Sequence, residues 1–96
     1  MFSPSIQRVP KYLGYQQFVG LAAATNLTIP AGTAFIEVQA ETQAVRYAAI
    51  GSPTATVGMP LAVGVREIIA IQNLAGLQFI EQAPSATLNV AYYGWN

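Results

Sequence analysis

Short runs in which apolar and polar residues alternate recur along most of this chain, and turn residues separate them. In the run over residues 34–40, Ile36, Val38 and Ala40 share one side, and the other side is polar except for Phe35. A period of two residues is typical of a half-buried β-strand. The run therefore predicts a strand with one face against a core.

The remaining runs predict an all-β chain. Further strands are predicted over residues 13–21, 26–29, 43–49, 65–71, 77–82 and 87–93. Residues 51–64 are predicted as a loop because glycine and proline recur in them. Only Glu41 and Thr42 separate the runs 34–40 and 43–49, which predicts a hairpin between them. Glu67 breaks the alternation of its strand, so either face of that strand could be buried. About seven or eight short strands predict a small β-sandwich or jelly-roll-like domain.

The first residues follow a different pattern. Residues 1–11 have no amphipathic period and contain Pro4 and Pro10, which fix φ and remove backbone donors. We therefore expect an extended N-terminal arm over residues 1–11 and a single β-sandwich domain over residues 12–96.

The charge content is unusually low for a protein that remains alone in solution. Only 8% of the 96 residues are charged, against about 25% in typical domains, and the net charge is zero. Surface charge keeps a monomer soluble, so with this little charge we expect partner subunits to cover much of the exterior. Large exposed apolar patches usually mark such interaction sites. The alternative is a surface that is simply neutral and polar.

The residue types that catalysis most often uses are missing. The sequence contains no Cys, His or Asp, and its four acidic residues are scattered glutamates. We therefore expect no enzyme activity, no cofactor and no metal site. Four basic residues provide no basic patch for nucleic acid, and no apolar run reaches the roughly 18 residues that span a bilayer. Neither a nucleic-acid partner nor a membrane partner is predicted.

Candidate contact residues come from four features: the arm, the aromatic segment over residues 12–21, two cations within predicted strands, and an aromatic C-terminus. Tyrosine and tryptophan are enriched at interfaces, which favours contacts at such positions. The predicted interface residues are Phe2, Ile6, Arg8, Lys11, Tyr12, Tyr15, Phe18, Arg46, Arg66, Tyr93 and Trp95.

Several blocks of sequence resemble short virion proteins of tailed bacteriophages. They are residues 40–47 (Ala-Glu-Thr-Gln-Ala-Val-Arg-Tyr), 53–61 (Pro-Thr-Ala-Thr-Val-Gly-Met-Pro-Leu), 79–81 (Phe-Ile-Glu) and 88–93 (Leu-Asn-Val-Ala-Tyr-Tyr). The likeness covers roughly residues 27–93. The chain departs from the pattern after Tyr47, where Ala48-Ala49-Ile50 replaces an acidic turn.

The resemblance implies a small β-sandwich protein of the capsid or its attachments, located in a virion assembled in the host cytoplasm. An arm, neutral surfaces and missing catalytic groups favour a capsid cement or decoration protein. We expect it to form a homo-oligomer, with a trimer favoured, and to bind the major capsid protein or other virion proteins. The alternatives are a head-fibre, neck or tail-associated structural protein and, in a different class, a carbohydrate-binding module. The last requires Tyr12, Tyr15 or Trp95 to lie exposed and coplanar on one open face. An enzyme is the third and weakest hypothesis, and it requires a pocket that contains at least two of the four glutamates.

Overall fold

The computed structural model describes residues 9–96 and contains eight strands and one short 3-10 helix. The strands are β1 (Pro10–Val19), β2 (Thr25–Asn26), β3 (Phe35–Glu41), β4 (Val45–Ala48), β5 (Met59–Leu61), β6 (Arg66–Ile69), β7 (Gln78–Glu81) and β8 (Thr87–Trp95). The helix, Leu74–Gly76, lies between β6 and β7.

The strands form two four-stranded antiparallel sheets. Sheet A has the order β1-β8-β3-β6, and sheet B has the order β2-β7-β4-β5. Two four-stranded sheets with these orders define a jelly roll, in which paired strands fold over one another. The prediction of a small β-sandwich of jelly-roll type is confirmed.

The core lies between the two sheets and follows the predicted alternation. In β3 and β8, every second residue is buried, including Ile36, Val38, Val90 and Tyr92. Sheet B and the connections supply the opposite wall, which includes Phe79 with no exposed surface. The side chains that face away from the core remain at least partly exposed and form the outer faces of the sandwich.

The predicted hairpin between residues 34–40 and 43–49 is wrong. β3 pairs with β6 and β8 in sheet A, whereas β4 pairs with β5 and β7 in sheet B. The chain turns between the sheets at Thr42, whose φ of 72° lies in the left-handed region. The short connection therefore joins β3 of sheet A to β4 of sheet B, and does not form a hairpin between neighbouring strands of one sheet.

The segment predicted as a loop over residues 51–64 also contains a strand. β5 pairs Met59, Pro60 and Leu61 with β4 at the edge of sheet B. Proline is tolerated there because an edge strand needs hydrogen bonds on one side only. The glycine and proline content of residues 51–64 therefore predicted a loop where an edge strand is also present.

The first strand begins two residues earlier than the predicted domain. Pro10 and Lys11 were assigned to the arm, but they are in register with Trp95 and Gly94 of β8. A proline at the first position of an edge strand is again compatible with pairing.

Glu67 breaks the alternation of β6 because its carboxylate takes part in a contact between the sheets. Its Oε2 accepts a hydrogen bond of 2.9 Å from the hydroxyl of Tyr47, which lies on β4 of the other sheet. Burial, followed by the hydrogen bond and charge of Glu67, raises the pKa of Tyr47 to about 12. The neutral hydroxyl therefore remains the donor across the physiological pH range, and it fixes one sheet against the other.

Candidate interaction surface

The outer face of sheet A carries a cluster of four aromatic side chains at one end. This aromatic cluster consists of Tyr12 on β1, Phe35 on β3, and Tyr93 and Trp95 on β8. Register explains the proximity, because both Tyr12 and Phe35 are paired with Tyr93. The ring centroids lie 5.8 Å apart for Tyr12–Tyr93, 5.2 Å for Phe35–Tyr93 and 5.3 Å for Phe35–Trp95. These distances are typical of aromatic pairs that stabilise one another.

A β-bulge brings a further tyrosine to the same face. Tyr12 and Tyr15 are three residues apart, a spacing that would place them on opposite faces of a regular strand. The register of β1 shifts between Tyr12 and Gly14, so Tyr15 lies opposite Ala91 and shares the outer face.

The aromatic side chains of this face are substantially exposed. The exposed fractions are 59% for Tyr12, 57% for Tyr15 and 41% for Trp95. With about 150–250 Å² of surface for each aromatic side chain, they expose roughly 250–400 Å² together. The largest apolar patch of a typical monomer is about 300–600 Å² and is often functional. The three rings alone therefore reach the lower part of that range before any neighbouring aliphatic residue is counted.

A hydrogen-bonded polar row continues from the aromatic cluster along the same face. Oδ1 of Asn89 accepts hydrogen bonds from the Tyr15 hydroxyl at 2.8 Å and from Nε2 of Gln17 at 2.9 Å. Nδ2 of Asn89 donates to Oε1 of Glu41 at 2.8 Å. These contacts hold the Tyr15 side chain against β8 and leave the ring exposed.

A shallow depression of about 160 Å³ lies between this polar row and β6. Arg66 and Glu37 line it and form an ion pair with a nitrogen–oxygen distance of 3.4 Å. The side chain of Arg66 is 70% exposed, so the pair contributes little to stability. The Arg66 guanidinium remains accessible at the edge of the face, as an interface role requires.

Arg46 lies elsewhere and holds a loop. Its Nε donates to the carbonyl oxygen of Ala55 at 3.2 Å, and its Nη1 donates to that of Gly58 at 2.8 Å. Pro53, within the same loop, is buried. The described contacts of Arg46 are therefore within the domain, and its role in an interface stays a prediction.

The other predicted contact residues have varied positions. Lys11 is exposed at the start of β1, whereas Phe18 is half-buried and packs against the core. Phe2, Ile6 and Arg8 lie outside the described residues. The structure thus brings Tyr12, Tyr15, Tyr93 and Trp95 to one face. Arg66 lies at the opposite edge of the same sheet.

Several residues of this face were missing from the predicted set, among them Phe35, Asn89, Gln17 and Glu41. Phe35 occupies a polar position in an otherwise alternating strand, and that irregularity was the signal that could have identified it. Asn89 gave no such signal, because its contacts depend on the pairing of β1 with β8.

The ring orientations bear on the carbohydrate-binding alternative. The Tyr12 and Tyr93 rings are inclined by 65°, and those of Phe35 and Trp95 by 48°. The aromatic side chains share one open face, but the cluster is not a single flat platform of the kind on which a sugar ring stacks.

Two further kinds of site concern metal ions and membranes. Within residues 9–96, no group of three or more His, Cys, Asp or Glu side chains is placed to hold a metal ion. No helix in that part of the chain is long and apolar enough to cross a membrane.

Comparison with protein-family models, with curated proteins and with solved structures gives no match.

Proposed function

We propose that this chain is a non-enzymatic structural protein of a tailed-phage virion, of the capsid cement type. It acts by protein–protein contact through the outer face of sheet A. The observation that carries the proposal is the exposed aromatic surface of Tyr12, Tyr15 and Trp95 on a protein with 8% charged residues. The assignment to a virion depends on the sequence resemblance described above.

The physical form of the face supports a protein partner. Mutual packing within the aromatic cluster holds the rings in fixed positions, so little side-chain entropy is lost when a partner covers them. The polar row beside the cluster supplies amide and carboxylate groups that can bond to a partner at the rim. An apolar centre with a polar rim is the usual composition of a specific interface.

Two alternatives use the same surface. A head-fibre, neck or tail-associated protein would need the same kind of contact, and only the position on the particle separates these roles. A carbohydrate-binding module has weaker support. Phe35 and Tyr93 are nearly parallel at 10°, but Tyr12 is inclined to Tyr93 by 65° and Trp95 to Phe35 by 48°.

The test begins with purified particles of the phage that encodes the chain. Mass spectrometry is expected to find the chain in them, and cryo-electron microscopy is expected to place it on the outer head surface. Density at the neck or tail would favour the alternative structural roles. Absence from the purified particles would refute the virion assignment.

A second test concerns the face itself. Particles that lack the protein are incubated with the purified chain, and bound protein is measured after sedimentation. Tyr12→Glu places a charge in the exposed aromatic surface and should reduce binding at least about tenfold, since desolvating an unpaired charge costs more than 1.4 kcal/mol. Ile50→Glu is the matched control, because Ile50 is 92% exposed outside this face. Equal binding by both variants would show that another surface makes the contact.

A further inference from the structure

The four outer edges of the two sheets differ in length. Three edges belong to short strands, since β2, β5 and β6 have two, three and four residues. The fourth edge belongs to β1, which has ten residues and, among residues 9–96, pairs with β8 only. Short edge strands limit unwanted pairing, whereas a long open edge presents unpaired backbone groups to another strand.

Few of the usual protective features are present along β1. A bulge interrupts the strand between Tyr12 and Gly14, and Lys11 is its one charged residue. Beyond the bulge, Tyr15–Val19 forms a regular ladder with β8 and contains no charge. Tyr15 is 57% exposed and Val19 is 71% exposed. This second half of β1 is therefore a regular, uncharged and open strand edge.

We propose that the β1 edge binds a second copy of this chain by antiparallel pairing of the two Tyr15–Val19 segments about a two-fold axis at Gln17. In this register, Tyr15 of each copy lies opposite Val19 of the other, and the two Gln17 residues face each other. Aromatic and β-branched residues form favourable cross-strand pairs, and two amide side chains can hydrogen bond. The segment is thus complementary to itself.

The charges of the strand are compatible with this arrangement. Lys11 lies six residues from the proposed axis, on the far side of the bulge. The two lysines of a pair therefore do not face each other, and no like charges are opposed within the paired segments.

The pairing would also unite the two aromatic faces. A two-fold axis perpendicular to the sheet keeps both outer faces on the same side of one continuous eight-stranded sheet. The combined exposed aromatic surface is then at most roughly 500–800 Å², less the part of each Tyr15 that the pairing with Val19 covers. This inference does not rest on the virion assignment, because it concerns the purified chain alone. It implies a dimeric contact in place of the trimer that was favoured from the sequence.

The absence of native cysteine allows a direct test by disulfide trapping. Directly opposed residues of antiparallel strands have Cα atoms about 4.5–5.5 Å apart, within the range of about 4.4–6.8 Å that disulfides accept. Gln17→Cys should therefore form a covalent dimer rapidly under mild oxidation. Gln72→Cys is the matched control, because Gln72 is exposed outside the strands. Equal rates of dimer formation by the two variants would overturn the proposal.

The register is tested with two further single variants. Tyr15→Cys and Val19→Cys should each form homodimers more slowly than Gln17→Cys, but a mixture of the two should form the mixed disulfide readily. Preferential trapping of Tyr15→Cys with itself would refute pairing about Gln17.

The oligomer without a disulfide is measured by light scattering over a range of protein concentrations. The wild-type chain should approach twice its mass of 10.2 kDa. Gln17→Lys should weaken the dimer by up to about fivefold, because it opposes two like charges across the pair. Gln72→Lys should leave the dimer unchanged. A monomer at all concentrations, a mass three times that of the chain, or equal effects of the two lysine variants would contradict the proposal.

Discussion

The hydrogen bond between Tyr47 and Glu67 joins the two sheets and is open to a specific test. Tyr47→Phe removes the hydroxyl and keeps the ring, which packs against Phe79 at a centroid distance of 5.5 Å. The change leaves the carboxylate of Glu67 half-buried without its tyrosine donor. The expected loss therefore comes from the hydrogen bond, with little change in packing.

The magnitude follows from the charge and burial of the acceptor. Hydrogen bonds to charged groups contribute about 1.5–3 kcal/mol, and partial exposure of Glu67 favours a value of about 2 kcal/mol. In a domain of this size, each kcal/mol shifts Tm by about 4–8 °C, so Tyr47→Phe should lower Tm by about 8–16 °C. Glu67→Gln should cost less, because the amide oxygen can still accept a neutral hydrogen bond worth about 1 kcal/mol.

Urea unfolding followed by circular dichroism measures the free energies of unfolding of these variants. All variants are compared at one protein concentration, because self-association also affects stability.

Tyr12→Phe is the control for loss of a tyrosine hydroxyl, since Tyr12 is 59% exposed. It should change the free energy of unfolding by less than about 0.5 kcal/mol. The double variant Tyr47→Phe/Glu67→Gln completes a double-mutant cycle. A loss for Tyr47→Phe no greater than that for Tyr12→Phe, or a coupling energy near zero, would refute the contact between the sheets.

Three other properties can be measured on the purified chain. Gly58→Ala should cost about 2–3 kcal/mol in urea unfolding, because φ is 136° and a Cβ would lie 3.1 Å from both Pro53 Cβ and the Tyr47 carbonyl oxygen. Gly64 has a φ of 81° but open space around it, so Gly64→Ala should cost less, about 1–2 kcal/mol. Equal losses of stability for the two glycine variants would contradict the steric argument. Phe79→Ala should cost about 3–5 kcal/mol and lower Tm more than any of these changes, because this fully buried ring fills the core; a loss below about 1 kcal/mol would be inconsistent with that position. Burial raises the pKa of both Tyr47 and Tyr92 to about 12. The folded state therefore favours their neutral forms, and this stabilisation is fully present below pH 10, the ordinary pKa of tyrosine. It is lost as the pH rises through 12. Tyrosinate absorbance and circular dichroism should show this loss together, and full ionisation of all tyrosines near pH 10 in the folded chain would contradict it.

Much of the core could be predicted from the sequence, because its signal is local. Ile36, Val38 and Ala40 alternate with half-exposed residues within one strand, and all three are buried as predicted. The same holds for Leu88 and Val90 in the last strand. Seven of the eight strands also followed from these local patterns, and with them the class of fold, whereas β5 did not.

The pairing of strands could not be predicted in the same way. The short link at Glu41 and Thr42 suggested a hairpin, yet a positive φ at Thr42 sends the next strand into the other sheet. Neighbouring strands in a jelly roll are often distant in sequence, as β1 and β8 are. Local rules for hairpins cannot identify such long-range partners.

The candidate surface was predicted in part for the same reason. Aromatic residues at the two ends of the domain suggested contact regions, but only the pairing of β1 with β8 joins Tyr12 and Tyr93 in one cluster. The bulge that brings Tyr15 to the same face has no recognised signal in the sequence. Arg46 was chosen because cations are scarce, and the structure gives it contacts within its own domain.

The sizes of the two sheets explain why the interaction surface is assigned to sheet A. β1, β8 and β3 have ten, nine and seven residues, whereas no strand of sheet B exceeds four. At about 3.3 Å per residue, β1 extends for roughly 33 Å and the longest strand of sheet B for roughly 13 Å. The outer face of sheet A therefore offers a broad regular surface, and the long open edge belongs to the same sheet. A partner would cover this face, whereas a second copy would pair with the backbone edge of β1. Tyr15 belongs to both contacts, because it lies on the outer face and opposite Val19 of the second copy, so the two contacts would meet at that residue.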